Sequence, residues 1–156
     1  MERTLVLCKP DAVQRRIVGR IIDRFEQKGL KIVGLKLVKF SQQLAGEMYL
    51  MHKGKDFYGP LVEFVTSGPL VAMVLEGNSA IAVARKILGA TFGPDADPGT
   101  IRGDFGMSKR YNVVHGSDSP ESARREIGLL FDNSELIDYQ IAGDEWVYAR
   151  SPEGMI

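Results

Sequence analysis

The stretch PLVAMVLE, residues Pro69–Glu76, is the segment around which the rest of the chain must be arranged. Apolar residues fill both of its alternating faces, which is typical of a strand that is buried inside a sheet. Asn78 or Ser79 follows as a helix cap, and an amphipathic stripe then runs through Leu88 to Gly89, a residue suited to a helix end. The segment therefore predicts a central strand that leads directly into a helix.

Two further strands are predicted before it. Thr4–Cys8 is an apolar run that ends at Lys9-Pro10-Asp11, and Leu30–Phe40 is a longer run with imperfect alternation. Gly34 interrupts the second run and indicates a β-bulge. These strands would flank or extend the central strand.

Helices are predicted between these strands. The first has apolar residues at i, i+3, i+4 and i+7 and ends at Gly29. A second is capped by Ser41 and runs to about Met51, and a short third helix covers Pro60–Thr66. The apolar stripe of the first helix consists of Val18, Ile21, Ile22 and Phe25.

The hydrophobic periodicity is interrupted at the start of the C-terminal half. Residues 90–111 have no clear period and contain two prolines and several glycines, which predicts a long loop. Asn112–His115 is a last short strand, and Ser119 caps a helix that runs to about Phe131. The order β-α-β-α-β-α-loop-β-α predicts an α/β (α+β) sandwich with helices on one face. Its core is a ferredoxin-like βαββαβ antiparallel sheet, in a single domain over residues 1–156.

Composition narrows the function classes. The 156 residues carry 20 basic and 20 acidic side chains, so bulk charge favours neither nucleic acid nor a membrane surface. One cysteine, Cys8, and no apolar run of membrane-spanning length lead us to expect a cytoplasmic protein. No Walker loop, Rossmann glycine motif, nucleophile elbow or Cys/His metal cluster occurs, so a phosphate site must be built from separate side chains.

His115 is the most informative single residue, because it ends a strand in the segment NVVHGSDSP (Asn112–Pro120). Taken alone, a core histidine with satisfied hydrogen bonds is the favoured interpretation. Arg102 lies in the glycine-flanked segment Pro98–Phe105 and suits a bidentate phosphate clamp, although a surface arginine is the ordinary alternative. Glu126 and Lys9 allow two interpretations in the same way: groups of an active site, or solvated surface charges.

Four blocks in this order resemble those of the nucleoside diphosphate kinase family. The N-x-x-H-G-S-D pattern is the most specific of them, and the resemblance extends from Arg3 to about Tyr148. The blocks are Lys9-Pro10-Asp11, Thr66-Ser67-Gly68-Pro69, Pro98-Gly99-Thr100-Ile101-Arg102-Gly103-Asp104 and Asn112-Val113-Val114-His115-Gly116-Ser117-Asp118-Ser119.

The resemblance implies a kinase that moves the γ-phosphoryl group from a nucleoside triphosphate (such as ATP or GTP) to a diphosphate (such as GDP). The transfer would be ping-pong through Nδ1 of His115, with Mg²⁺ held mainly by nucleotide phosphates rather than by the protein. The catalytic positions that match are His115, Glu126, Ser117, Lys9 and Tyr49. The nucleotide-binding positions that match are Lys9, Phe57, Arg85, Thr91, Arg102 and Asn112. Phe57 would stack on the base, which implies broad base tolerance, because every base has a π-face.

The chain also departs from the family pattern. Phe92-Gly93 replaces a usual Asn-Pro, and Lys109 stands where a valine helps to enclose the base, so base preference and loop packing are affected. His52, the other histidine, is interpreted as a surface residue at a helix end. By resemblance we expect a homo-oligomer, a tetramer or hexamer built from dimers. Two other interpretations are a nucleotide-binding module without turnover and a structural oligomer.

Overall fold

A four-stranded antiparallel sheet lies at the centre of the chain. The computed structural model describes residues 1–152 and 154–156. The central position predicted for Pro69–Glu76 is confirmed, because the third strand lies between two others. The strands are β1 (Glu2–Cys8), β2 (Lys31–Val38), β3 (Leu70–Gly77) and β4 (Val114–Gly116), in the spatial order β2-β3-β1-β4.

Short helices connect and cover these strands. They are α1 (Pro10–Gln14), α2 (Val18–Gln27), α3 (Gln42–Met48), α4 (Tyr58–Thr66), α5 (Ala80–Leu88), α6 (Ile101–Phe105), α7 (Pro120–Leu130) and α8 (Asp144–Val147). Turns of 3₁₀ helix cover Leu50–His52, Gly93–Asp95 and Asn133–Glu135, and a small hairpin pairs β5 (Arg150–Ser151) with β6 (Gly154–Met155). Within the described ranges, none of the helices has the length and apolar character needed to cross a membrane.

Helices cover both faces of the sheet because the strands carry apolar residues on both faces. In β1, Leu5 and Leu7 belong to one core cluster, and Val6 and Cys8 belong to the other. Helices α3, α4 and α7 contribute to the first cluster, while α1, α2, α5 and α6 contribute to the second. The ferredoxin-like antiparallel sheet is therefore confirmed. Helices α2 and α5 share one face as expected, and the other helical layer comes from the segment between β2 and β3 and from α7.

Most predicted caps and breaks lie where the chain turns. Gly29 has a φ of +92° after α2, and the pairing of β2 with β3 shifts register between Ile32 and Gly34. The hydroxyls of Ser41 and Ser119 each accept a backbone N–H in the first turn of α3 and α7. These positions follow directly from local chemistry, since glycine tolerates positive φ and serine satisfies the unpaired donors of a helix start.

The side-chain cap expected for α5 at Asn78 or Ser79 is provided by a distant residue instead. Ser79 occupies the N-cap position of α5, but its φ is +51° and its hydroxyl makes no capping hydrogen bond. The carboxylate of Glu2 instead accepts the backbone N–H of Ile81 at 2.9 Å. A residue 79 positions away therefore does what a local cap normally does.

The long loop predicted over residues 90–111 is partly wrong, because it contains helix α6 (Ile101–Phe105). Oγ1 of Thr100 accepts the backbone N–H of Gly103 at 3.0 Å and caps this helix. Asp104 accepts from Gly99 at 2.8 Å and from Arg24 of α2 at 2.9 Å, which ties the segment to the body of the protein. A five-residue helix is too short to show a period in the sequence.

Other boundaries also differ from the prediction. Helix α1 begins at Pro10, where only a strand end was expected, and the helix predicted to reach Met51 ends at Met48. The last strand covers Val114–Gly116 rather than Asn112–His115, because Val113 has a φ of +70° that turns the chain out of the ladder. Asp11 holds this strained turn by accepting the N–H of Val113 at 3.0 Å.

Candidate active site

His115 lies in the middle of β4, beside the central strand β1. Its register partner is Leu7, and the backbone neighbours Val114 and Gly116 are buried. The imidazole side chain is 18% exposed, so one edge of the ring reaches solvent while the rest is enclosed. The structure thus places the ionisable ring on a strand as the sequence predicted, although in the middle of β4 rather than at its end.

A buried carboxylate orients this ring. Oε2 of Glu126, on α7, lies 3.0 Å from Nε2 of His115 and accepts the hydroxyl hydrogen of Ser117 at 2.7 Å. The backbone N–H of Leu5 donates in turn to Oγ of Ser117 at 3.2 Å. A carboxylate accepts only, so Nε2 carries the hydrogen and Nδ1 keeps its lone pair. Nδ1 makes no hydrogen bond with any residue in the described part of the chain.

Tyr49 forms a wall beside the imidazole. Its ring stands perpendicular to that of His115, with the centroids 5.7 Å apart. The hydroxyl is buried and has no hydrogen-bond partner among residues 1–152 and 154–156. Burial, together with the nearby charge of Glu126, raises the pKa of Tyr49, so the hydroxyl stays protonated. A buried donor without a partner is available to a ligand.

Lys9 brings a desolvated positive charge to the same region. Its Nζ donates to Oδ1 of Asn112 at 2.7 Å, and Nδ2 of Asn112 donates to the carbonyl of Thr91 at 3.0 Å. Burial, followed by the charge of Arg102, lowers the pKa of Lys9 to about 8, although Asp11 opposes this shift. The ammonium is therefore still mostly charged at neutral pH, and it forms no salt bridge within residues 1–152 and 154–156, which favours a phosphate as its ligand.

Arg102 lies in helix α6, whereas the sequence predicted a long loop over residues 90–111. Its guanidinium donates to the backbone carbonyls of Asn112 and Gly89 at 3.1 Å each, and to that of Val114 at 2.8 Å. Burial and the neighbouring charge of Arg85 lower its pKa to about 10, which leaves it charged. Arg102 thus joins three chain segments around the site. Each terminal nitrogen still has a second N–H available for a ligand.

Arg85 and Thr91 lie at the rim of the site. Arg85, on α5, is exposed and donates from Nη1 to the carbonyl of Gly116 at 3.4 Å. Thr91 is also exposed, and its carbonyl is fixed by Asn112. The sequence predicted phosphate binding for both residues, and the structure brings both to the periphery of the His115 region.

A row of rings links the site to the exposed Phe57. The ring centroids of Phe57 and His52 are 5.1 Å apart, and those of His52 and Tyr49 are 6.4 Å apart. Phe57 is 50% exposed, as expected of a residue that stacks on a ligand rather than one in the core. His52 ends the 3₁₀ turn Leu50–His52, as predicted for a helix-end residue, but it is only partly exposed and its ring contacts two other aromatic rings. The i, i+3 spacing of residues 49 and 52 could have indicated this.

Two departures from the family pattern contact each other. Nζ of Lys109 lies over the ring of Phe92, 5.7 Å from its centroid. Nearby, the rings of Tyr111 and Phe64 are 4.8 Å apart, which attaches the segment before β4 to helix α4. The unusual lysine is therefore paired with the unusual phenylalanine. Whether Lys109 covers a base stays a prediction.

Comparisons with known proteins agree with this arrangement. The family model described as nucleoside diphosphate kinase matches residues 2–136. A nucleoside diphosphate kinase of Bacillus licheniformis is 55% identical over 148 residues, which is 95% of this chain and 100% of that protein. A nucleoside diphosphate kinase of Staphylothermus marinus is 56% identical over 138 residues, covering 88% of this chain and 98% of the relative.

A solved structure extends the similarity to three dimensions. The nucleoside diphosphate kinase of Halobacterium salinarum, in complex with CDP, superposes with a TM-score of 0.92 at 48% identity, over 94% of this chain and 98% of that one. A family protein from Babesia bovis gives a TM-score of 0.91 at 40% identity, over 95% of this chain and 100% of the other. With the family model and full-length relatives in agreement, the chain belongs to the nucleoside diphosphate kinase family.

Proposed function

We propose that this chain transfers the γ-phosphoryl group of a nucleoside triphosphate to a nucleoside diphosphate by a ping-pong route through His115. The observation that carries the proposal is the 3.0 Å contact between Nε2 of His115 and the buried Glu126. It directs the lone pair of Nδ1 away from the carboxylate, where an incoming phosphorus atom can be attacked. One catalytic domain over residues 1–156 is part of this proposal.

The phosphoryl group is transferred to His115 and then from His115 by the same reaction in reverse. Nδ1 donates its electron pair to the γ-phosphorus as the bond from that phosphorus to the bridging oxygen breaks. The diphosphate leaves with that bonding pair, and the positive charge that develops on the imidazole is balanced by Glu126 through Nε2–H. A second diphosphate then reverses the step, since its terminal oxygen takes the phosphoryl group and Nδ1 regains its lone pair. Ser117 holds the Glu126 oxygen that faces the ring.

Positive and polar groups around His115 would stabilise the equatorial oxygens of the transferred group. Lys9 and Tyr49 supply a desolvated ammonium and a buried hydroxyl without a partner. Because these donors are fixed before the substrate arrives, they cost little reorganisation in the transition state. The remaining phosphate and ribose contacts are assigned to Arg85, Thr91, Arg102 and Asn112.

Phe57 is proposed as the platform for the base. It contacts His52 and the ammonium of Lys55, and half of the side chain remains exposed to a ligand. Stacking on a phenyl face reads no donor or acceptor pattern, so purine and pyrimidine nucleotides would both bind. The relative solved with CDP supports a nucleoside diphosphate as the ligand class.

Mg²⁺ is the proposed cofactor and fits this donor set. Residues 1–152 and 154–156 contain no group of three or more His, Cys, Asp or Glu side chains arranged to hold a metal ion. The carboxylate of Glu126 is engaged by His115 and Ser117, and the other residues assigned to the site are cations and neutral groups, which suit a metal that arrives on the nucleotide with phosphate oxygens and water as its ligands. When bound, the ion would neutralise phosphate charge during transfer.

We also propose that the protein is a cytoplasmic homo-oligomer, a tetramer or hexamer built from dimers. Exposed apolar side chains support an assembly: Leu37 on the edge strand β2 is 65% exposed, and Trp146 on α8 is 89% exposed. The single cysteine, Cys8, is a buried free thiol, in keeping with a reducing compartment. Sedimentation analysis of the purified chain would give the number of subunits.

The decisive experiment is a labelling reaction without an acceptor. The protein is incubated with γ-labelled ATP and Mg²⁺, and the label on the chain is mapped before and after GDP is added. An acid-labile, alkali-stable label on His115 that passes to GTP would establish the ping-pong kinase. His115→Ala is expected to fold and bind nucleotide but to take up no label. ATP binding without label in the native chain would leave a nucleotide-binding module instead.

A further inference from the structure

His52 occupies a position between the proposed base platform and the wall beside the nucleophile. Its ring meets the Phe57 ring edge-on, at an interplanar angle of 61° and a centroid distance of 5.1 Å. On its other side it stacks with Tyr49, at 21° and 6.4 Å. Tyr49 in turn contacts His115. A displacement of the His52 ring would therefore move a neighbour on each side.

Lys55 fixes the orientation of that ring. Nζ of Lys55 lies 3.2 Å from Nδ1 of His52, and the same ammonium lies 5.6 Å from the centroid of Phe57. An ammonium group can only donate, so Nδ1 must accept and the proton of the neutral ring belongs on Nε2. One lysine therefore contacts both the histidine and the exposed phenylalanine. The backbone N–H of Lys55 also donates to the carbonyl of His52 at 3.0 Å, which closes a tight turn.

We infer that His52 is a positioning residue for nucleotide binding, whose neutral ring, locked by Lys55, holds Phe57 in the orientation that stacks on the base. The inference rests on the proposed function, because Phe57 is a platform only if a nucleotide binds there. His52 acts through Phe57 and makes no contact with the reacting atoms. Its loss should thus weaken binding and leave the chemical step intact.

The charges around His52 support a neutral ring. Burial is the largest cause that lowers the pKa of His52. The positive charges of Lys55, His115 and Lys9 lower this pKa further, and the negative charge of Asp118 opposes them. Below this lowered pKa, protonation would take the acceptor away from Lys55 and set two positive charges 3.2 Å apart. The ring would then turn away from Lys55 and release Phe57. Nucleotide affinity should consequently fall in acid.

The first test separates binding from chemistry. Kd for ADP, measured by calorimetry, and the rate of phosphoenzyme formation at saturating ATP are compared in the native chain, His52→Ala and His52→Phe. His52→Ala should weaken ADP binding about tenfold, since an aromatic pair contributes roughly 2- to 10-fold. His52→Phe, which keeps the ring contacts, should weaken ADP binding less than His52→Ala does. Phosphoenzyme formation at saturation should change less than twofold.

Two results would overturn the inference without touching the proposed kinase. One is native ADP affinity in His52→Ala. The other is a loss confined to the saturated rate of phosphoenzyme formation, which would make His52 part of the chemical machinery. Failure of the native chain to form phosphoenzyme at all would instead remove the proposed function, so the two failures are distinct.

A pH series distinguishes positioning from simple packing. The ratio of ADP Kd in the native chain to that in His52→Phe should rise as the pH is lowered below the ordinary pKa of histidine, because only the native ring can take up a proton. The titration of ADP itself cancels in this ratio. Lys55→Met should weaken ADP binding at neutral pH and flatten the pH response, because the ring loses both its lock and the repulsion, whereas the exposed neighbour Lys53→Met should leave the native curve in place. A flat ratio would show that His52 only fills space.

Discussion

Oε2 of Glu126 lies 3.0 Å from Nε2 of His115, and the same oxygen accepts the hydroxyl of Ser117 at 2.7 Å. Glu126 is almost fully buried, so its charge acts on the imidazole with little screening by solvent. The contact joins β4 to α7 and fixes the ring in one tautomer. A surface ion pair between flexible side chains would fix neither the packing of two elements nor the tautomer of a ring.

Glu126→Gln should lower the rate of phosphoenzyme formation by roughly 10²- to 10⁴-fold, the range for losing an acid that orients a catalytic histidine. The new amide can donate to Nε2, which moves the proton to Nδ1 and occupies the attacking lone pair. Rapid-quench measurement with labelled ATP gives the rate. Ser117→Ala, which keeps the carboxylate of Glu126, should lower the rate of phosphoenzyme formation far less. Equal losses in the two variants would mean that hydrogen bonding alone, rather than the charge of Glu126, supports His115.

Arg102→Ala should reduce both stability and turnover. Three backbone carbonyls, those of Gly89, Asn112 and Val114, lose their guanidinium donor, so the free energy of unfolding should fall by about 3 kcal/mol. Transition-state stabilisation should weaken by roughly 3 kcal/mol as well, on the scale of one preorganised donor. Urea unfolding and kcat/KM measure the two effects separately. A stable variant with unchanged kcat/KM would remove Arg102 from the site.

Lys9→Met should stabilise the fold while it weakens nucleotide binding. The pKa of Lys9 is lowered from 10.5 in the unfolded chain to about 8 in the folded one. Both states are protonated below pH 8, so the burial cost is then fully present, and the free energy of unfolding of the native chain rises with pH between about 8 and 10.5. At pH 7 the variant should be more stable by roughly 2 kcal/mol, after the lost bond to Asn112 is allowed for.

The difference in free energy of unfolding between Lys9→Met and the native chain should shrink as the pH approaches 10.5. Urea titrations of both proteins at several pH values measure it, and comparison with the variant cancels the titration of other groups. Nucleotide affinity of the native chain should also decline as the pH rises through about 8, because the ammonium loses its charge. A constant stability difference would mean that the Lys9 ammonium is not desolvated.

Tyr49→Phe should leave the fold at least as stable as the native one. The hydroxyl is buried without a partner in the described residues, so its removal relieves an unsatisfied group by about 1 kcal/mol. The ring contact with His115 is retained. If the hydroxyl donates to the transferred phosphoryl group, kcat/KM should drop about tenfold. Thermal unfolding together with steady-state kinetics tests both halves, and a destabilised variant would reveal a hydrogen bond that the hydroxyl makes in solution.

The sequence predicted what depends on local rules. Gly29, Ser41 and Ser119 end or begin helices as their backbone and hydrogen-bond preferences require, and apolar residues on both faces of β3 predicted its central position in the sheet. What it could not predict depends on distant partners. Glu2 caps α5 across 79 positions, and Asp11 holds the positive φ of Val113 across 102.

The same division applies to the candidate site. The motif around His115 identified the segment, but it could not show that one oxygen of Glu126 serves both His115 and Ser117. Arg102 was expected as a free clamp in a loop, because helix α6 is too short to leave a periodic signal. Long-range side-chain contacts of this kind have no signature in a single sequence.

The contact between Lys109 and Phe92 predicts that the two residues are energetically coupled. Nζ of Lys109 lies 5.7 Å from the Phe92 centroid, close enough for a cation–π interaction of about 0.5–1 kcal/mol at an exposed site. A double-mutant cycle with Lys109→Ala and Phe92→Ala, read by urea unfolding, should recover that coupling. If Lys109 also covers the base, Lys109→Ala should raise KM for all nucleotides by a similar factor, because methylenes read no base edge. A coupling energy in stability with an unchanged KM would make the pair a loop anchor and place Lys109 outside the cleft.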